Sequence, residues 1–227
     1  MTPYRRYALY VVPEDAFYRV GASWLGWDSV AGRATAHPGI DGLTRPVAEI
    51  TATPRKYGFH GTMKPPFRLA GDVTEAALRD AASALCAQLA PVEIPALSLR
   101  RLGGFVAVVP AEPSPALAHL AAEVVKGLDS FRAAPGEAEL AKRRKAGLSE
   151  RQDALLRQWG YPYVMEEFRF HLTLTGKLGA EAGPVADLLR SHFAPVLPSP
   201  FRVDSLCLMG EDADGLFHVL HRYTLSG

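Results

Sequence analysis

Two cysteines in 227 residues, no apolar run near the length of a membrane span, and almost no net charge are what this sequence has little of. Cys86 and Cys207 lie far apart with no CxxC spacing, which speaks against a disulfide scaffold or a structural zinc knot and fits a reducing cytoplasm. The apolar run Tyr7–Val12 follows Arg5-Arg6 but stops at Pro13, too short for a signal-peptide core or a bilayer crossing. With 25 basic and 24 acidic side chains, the chain has no global field for nucleic acid or an acidic membrane, although a local basic groove stays open. No HExxH pair, no Walker-type glycine loop and no GxGxxG ahead of a helix occurs. The expectation is a soluble, cytoplasmic, monomeric protein.

What is present is an ordinary globular composition, 48% apolar and 22% charged, long enough for one large domain or two small lobes. Residues 7–12 read as a strand stopped by proline, and 14–27 as an amphipathic helix with Phe17, Val20, Trp24 and Leu25 inward. Residues 28–55 read as an ordered loop. Tyr57–Met63 reads as a strand that Lys64-Pro65-Pro66-Phe67 ends. Thr74 caps a helix to Leu89 whose inner stripe is Ala77, Leu78, Ala81, Leu85 and Leu89. A hairpin follows over 97–109 around Gly103-Gly104. The second half repeats these signals: a helix over 114–131, a charged stretch over 137–158, a strand over 168–175, a helix over 183–193 and a last hairpin over 205–225.

The repetition extends to residue types. Tyr7–Pro13 and Gly104–Pro110 are both apolar strands closed by proline, and each half then carries a His-x-Thr strand, Phe59-His60-Gly61-Thr62 and Phe170-His171-Leu172-Thr173. Each of those leads to a helix ending in Ala-Pro-Val and then to a hairpin. We read a degenerate duplication: one bilobal domain over 1–227 with lobes 1–103 and 104–227. Its fold class is α+β, with mainly antiparallel sheets facing across a central cleft and helices outside.

Residues two apart in a strand share a face, so His60 with Thr62 and His171 with Thr173 form two matching pairs that the duplication brings to one cleft. Imidazoles titrate near neutrality, so one can take a proton while the other gives one, and the hydroxyls can donate to phosphate oxygens. Such a set suits the opening of a cyclic phosphodiester. Counting in twos adds Lys64 and Arg169 as cations for the developing charge, with Tyr57 and Tyr10 as further candidates for substrate binding. Both cations also read as solvated edge charges, and Tyr10 as a packing residue. His218 and His221 are three apart in a strand and point to opposite faces, so they make no metal pair. Lys142-Arg143-Arg144-Lys145, with Arg151 and Arg157, reads as a solvated helix face neutralised by Glu137, Glu139 and Glu150; the alternative is a basic flap or lid over a phosphorylated substrate.

The paired His-x-Thr strands resemble the two-histidine (2H) phosphoesterase superfamily of RNA cyclic phosphodiesterases and so-called 2′-5′ RNA ligases. The blocks Arg6–Tyr10, Tyr57–Phe67, Gly104–Pro110 and Leu155–Gly176 look like the branch found in phosphonate-utilisation operons. The resemblance covers nearly the whole chain. It implies a bilobal fold, hydrolysis without metal or cofactor, and catalysis by His60 and His171 with Thr62 and Thr173 as partners. It also suggests a small phosphorylated substrate, phosphoribosyl 1,2-cyclic phosphate from carbon–phosphorus bond cleavage being the candidate. Two alternatives stay open: an RNA-end or nucleoside 2′,3′-cyclic phosphodiesterase, and a non-catalytic phosphometabolite-binding regulator. The neutral charge and the lack of a basic stripe with aromatics weigh against long nucleic acid.

Overall fold

The computed structural model describes residues 4–227. In chain order the strands and helices are β1 (Arg6–Val11), α1 (Asp15–Leu25), β2 (Trp27–Asp28), β3 (Arg33–Ala34), α2 (Val47–Ile50), α3 (Ala52–Arg55), β4 (Gly61–Phe67), α4 (Glu75–Cys86), β5 (Val92–Ile94), β6 (Leu97–Leu102), β7 (Phe105–Pro110), α5 (Pro115–Gly127), α6 (Glu137–Arg144), α7 (Glu150–Trp159), β8 (Leu172–Thr173), α8 (Ala182–Phe193), β9 (Phe201–Val203), β10 (Ser205–Glu211) and β11 (Phe217–Thr224). No helix among the described residues is long and apolar enough to cross a membrane.

The fold is α+β, as the sequence implies. Its main sheet has seven strands in the order β11-β10-β1-β4-β8-β7-β6, every pairing antiparallel. The two His-x-Thr segments lead into its central neighbours, β4 and β8, and these touch through one pair, Gly61 opposite Leu172. The antiparallel halves thus meet at a narrow seam rather than standing as separate sheets, because β8 is only two residues long.

The halves also exchange segments. β6 precedes residue 104 yet pairs with β7, while the C-terminal hairpin β10–β11 returns to pair with β1. β10 and β6 therefore each lie beside the proline-closed strand of one half-sheet, and the half-sheets interleave along the chain instead of dividing at residue 104. Repeat-related segments pair with each other twice, β4 with β8 and β5 with β9, where Glu93 lies opposite Arg202. Antiparallel pairing of an element with its own counterpart is what a pseudo-twofold axis through the seam produces.

Local chemistry accounts for the elements. Thr74 and Ser114 cap α4 and α5 by accepting from Ala77 and Leu117 N–H, and Ser149 with Gln152 forms a capping box on α7. α4 is rotated from the expected stripe: Leu78, Ala82 and Cys86 are buried, Leu85 lies at the margin and Ala77 is exposed. The segment read as a loop holds α2 and α3, single turns too short for a periodic signal. The core runs through both halves. Trp24 on α1 is fully buried and donates its indole N–H to the Leu174 carbonyl beyond β8 at 2.7 Å.

Candidate active site

His60 and His171 lie just ahead of β4 and β8, not within strands as expected. Continuing the Gly61–Leu172 register by one residue each way sets His60 opposite Thr173 and Thr62 opposite His171. All four side chains then share one face of the seam, with directly opposed Cβ atoms about 4.5–5.5 Å apart. They line a cavity of about 450 Å³, together with Tyr57 and Arg169.

The two imidazoles are held alike. His60 Nδ1 lies 2.9 Å from the Gly58 carbonyl, and His171 Nδ1 lies 2.7 Å from the Arg169 carbonyl. A carbonyl only accepts, so each Nδ1 carries the proton and each Nε2 is left for chemistry. His60 Nε2 sits 3.1 Å from the Thr62 hydroxyl. One close approach sets this frame: a Cβ on Gly61 would come within 2.3 Å of the Phe170 ring. The histidine frames meet at the residue that has no side chain to obstruct them.

The surroundings are not symmetric. Tyr10, opposite Thr62 on β1, stacks on His60 with ring centroids 3.7 Å apart and planes 20° from parallel. Its counterpart by register is Ala107, opposite Thr173 on β7, and the nearest ring to His171 in the same half is Phe105 at 5.9 Å, tilted. Burial strips water from His60 and lowers its pKa to about 4; the Gly58 carbonyl partly opposes this, and His171 adds a small repulsion. Tyr10 is buried, and the same desolvation pushes its phenol well above its ordinary value. Its place is behind the imidazole, not on the cavity wall. Tyr57 lies at the wall, its ring 6.1 Å from that of His60.

Two residues expected to bind substrate are absent from the cavity wall: Tyr10, which backs the His60 ring, and Lys64. Between Tyr10 opposite Thr62 and Leu9 opposite Lys64 the ladder advances one residue on β1 and two on β4, a bulge that breaks the alternation. Lys64 is thereby turned into the interior, 2% exposed, donating to the Val125 carbonyl at 3.0 Å with Asp129 3.7 Å away. Burial lowers its ammonium to about 8, against the pull of Asp129. β4 also continues through Pro65 and Pro66, which fall at the irregularity between the Leu9–Lys64 and Tyr7–Phe67 pairs with β1 and beyond the reach of β8. Arg169 does reach the cavity, its guanidinium donating to the Glu166 and Phe168 carbonyls, which leave its charge uncancelled.

The cavity has further walls that the site reading did not include. Arg6 shares a face with Tyr10 by period-two counting and is held by a bidentate pair with Glu211 at 2.5 Å. Tyr161 and Tyr163, alternating after α7, and Phe168 supply aromatic surface. From the charged stretch only Arg143 contributes to the lining, whereas Arg144, Arg151 and Arg157 pair with Asp153, Glu166 and Asp153. A second cavity of about 450 Å³ opens between the start of α1 and Pro195–Pro198; it has no histidine, and its Arg222 is committed to Val12, Ser205 and Glu14. Among the described residues no three His, Cys, Asp or Glu side chains gather into a group that could hold a metal ion.

Residues 62–218 match the family described as "Protein of unknown function (DUF1045)". A protein named ribose 1,5-bisphosphate phosphokinase PhnN from Janthinobacterium sp. (strain Marseille) is 38% identical over 218 residues, covering 92% of this chain and 48% of that protein. One of the same name from Laribacter hongkongensis (strain HLHK9) is 36% identical over 214 residues, covering 92% and 49%. The chain thus spans about half the length of the curated relatives it matches. In shape it is similar to E. coli LigT complexed with 3′-AMP, with TM-score 0.49 and 14% identity over the whole of both chains. It is also similar to a protein titled phosphoesterase, with TM-score 0.45 and 14% identity over 99% of each. With the family's match spanning well over half of its residues, the chain belongs to the DUF1045 family.

Proposed function

We propose that this protein hydrolyses a small cyclic phosphodiester with a pair of histidines as base and acid, in the manner of the two-histidine phosphoesterases. The observation that carries the reading is the shared constraint on the imidazoles: both have Nδ1 fixed by a backbone carbonyl, and both line one cavity with two threonines. A phosphate over the seam meets two imidazoles and two hydroxyls.

In the proposed reaction a water attacks phosphorus and gives its proton to Nε2 of His60. The phosphorus–oxygen bond to one ring oxygen breaks, and that oxygen takes a proton from Nε2 of His171. A phosphomonoester and a free hydroxyl result. His60 suits the base because its lowered pKa of about 4 leaves it unprotonated at neutral pH. An anionic substrate beside the ring raises its proton affinity again, so the base strengthens as the complex forms. Thr62, Thr173 and Arg169 supply donors and charge to the phosphorane-like state.

The substrate we favour is a phosphorylated sugar such as phosphoribosyl 1,2-cyclic phosphate. The cavity volume suits a small ligand, and the relatives' names refer to a ribose carrying two phosphates.

The test is turnover in excess EDTA of phosphoribosyl 1,2-cyclic phosphate beside nucleoside 2′,3′-cyclic phosphates. We expect the phosphomonoester to form, with the sugar phosphate preferred. Binding of these compounds without any turnover would overturn the reading in favour of a phosphometabolite-binding regulator.

A further inference from the structure

A cyclic phosphodiester bears one negative charge, and the wall beside the histidines already offers Arg169 to it. The cavity nevertheless holds a second incompletely neutralised guanidinium, on a different element. Arg143, in the last turn of α6, lines the same cavity with its guanidinium 4.8 Å from the Tyr161 ring centroid. Its Nε–H is buried and has no hydrogen-bond partner. Its carboxylate neighbour is Glu139 at 3.3 Å, and Glu139 is shared with Arg68, also at 3.3 Å. One carboxylate between two guanidiniums leaves a full positive charge uncompensated. The remaining cationic wall residue, Arg6, is cancelled by Glu211.

A buried N–H donor without an acceptor costs free energy, so its persistence beside a cavity calls for a partner. Arg143 also stands apart from its neighbours in the basic stretch, since Arg144, Arg151 and Arg157 have carboxylates within 3.2 Å. The cation–π contact with Tyr161 holds the guanidinium in place, which suits recognition of a phosphate rather than a loose surface charge. The same cavity offers aromatic and proline surface, Tyr57, Tyr161, Pro65 and Pro66, fit for the faces of a sugar.

Resting on the hydrolytic reading above, we infer that Arg143 and Tyr161 form a subsite for a second, terminal phosphate, so that the preferred substrate is a phosphomonoester of a sugar cyclic phosphodiester. Glu139 remains with Arg68 when Arg143 turns to the ligand, so engagement strands no carboxylate. The subsite sets specificity and takes no part in bond breaking.

The test compares ribose 1,2-cyclic phosphate with and without its 5-phosphate, on the wild type, Arg143→Gln and Arg143→Lys. The wild type is expected to prefer the 5-phosphorylated compound in kcat/KM by about 10- to 100-fold, the reach of one charge-assisted hydrogen-bonded pair. Arg143→Gln is expected to lower kcat/KM for the 5-phosphorylated compound far more than for the unphosphorylated one, so that the preference disappears, whereas Arg143→Lys restores part of it. Equal wild-type rates on the two compounds, or an equal loss on both in Arg143→Gln, overturns the subsite while leaving hydrolysis intact. If neither compound is cleaved, the hydrolytic reading fails, and calorimetric titration with ribose 5-phosphate still reads the subsite. Weaker binding to Arg143→Gln then upholds it, and equal binding overturns it.

Discussion

His60 and His171 share a tautomer and a backbone frame, and what separates them is the residue behind each ring. Tyr10 covers His60, and Ala107 holds the corresponding place in the other half. In the proposed reaction, the division into base and acid traces to that one side chain. The acid limb of the kcat/KM profile is expected near pH 4 in the wild type, where His60 takes up its proton. Tyr10→Leu should move that limb up toward the ordinary histidine value near 6.5, and Tyr10→Phe, which keeps the stack, should not. A limb that stays in place in Tyr10→Leu would assign the low pKa to another cause. The same shift works on stability. Between about pH 6.5 and 4 the unfolded chain binds a proton that folded His60 refuses, so this contribution is full above 6.5 and lost as pH falls. Lys64 carries the opposite lesson. Its position counts correctly for the catalytic face in a regular strand, and only the bulge, which has no signature in residue types, sends it inward.

At the scale of elements, the strands and helices with strong periodicity or a capping residue were legible: β1, α4, α5, α8 and both hairpins lie close to where their patterns place them. The elements around the site were harder to read. β8 has two paired residues because it touches β4 only at Leu172 and β7 at two positions, so an apolar run from 168 to 175 looks longer than the strand it forms. β5 and β9 have three residues each and gain their pairing from partners more than 100 residues away. Such pairings are decided by tertiary contact, which local propensity does not register. The His-x-Thr pairs were legible because period-two spacing survives even where the histidine stands one residue outside the strand. The tightest joint in this arrangement is testable. Gly61→Ala would drive a Cβ into the buried Phe170 ring, displacing the seam between the two histidines. The expected outcome is a folded protein with activity reduced about 100-fold, the usual price of a misplacement near 1 Å. Circular dichroism and initial rates check it, and unchanged rates would show that the seam tolerates the shift.

Over the whole molecule, the duplication gives a near-neutral chain without a glycine-rich phosphate loop a means of building the anion site proposed above. Two weak motifs, each of little consequence alone, are brought by a pseudo-twofold axis onto one face, and the cavity they line also takes in Arg169, Arg143 and Glu167. The interleaving of the half-sheets, with β6 and the β10–β11 hairpin crossing between them, also makes each half depend on the other for its strands. A site assembled in this way acts as a unit, and its two histidines should behave as one. The measurement that tests this most directly is kcat/KM for phosphoribosyl 1,2-cyclic phosphate in EDTA with the wild type, His60→Ala, His171→Ala and the double variant. The account predicts that each single change costs about 10²- to 10⁴-fold and that the double change costs little more than the worse of the two. Near-wild-type activity in either single variant, or losses that multiply in the double, would contradict a shared two-histidine mechanism.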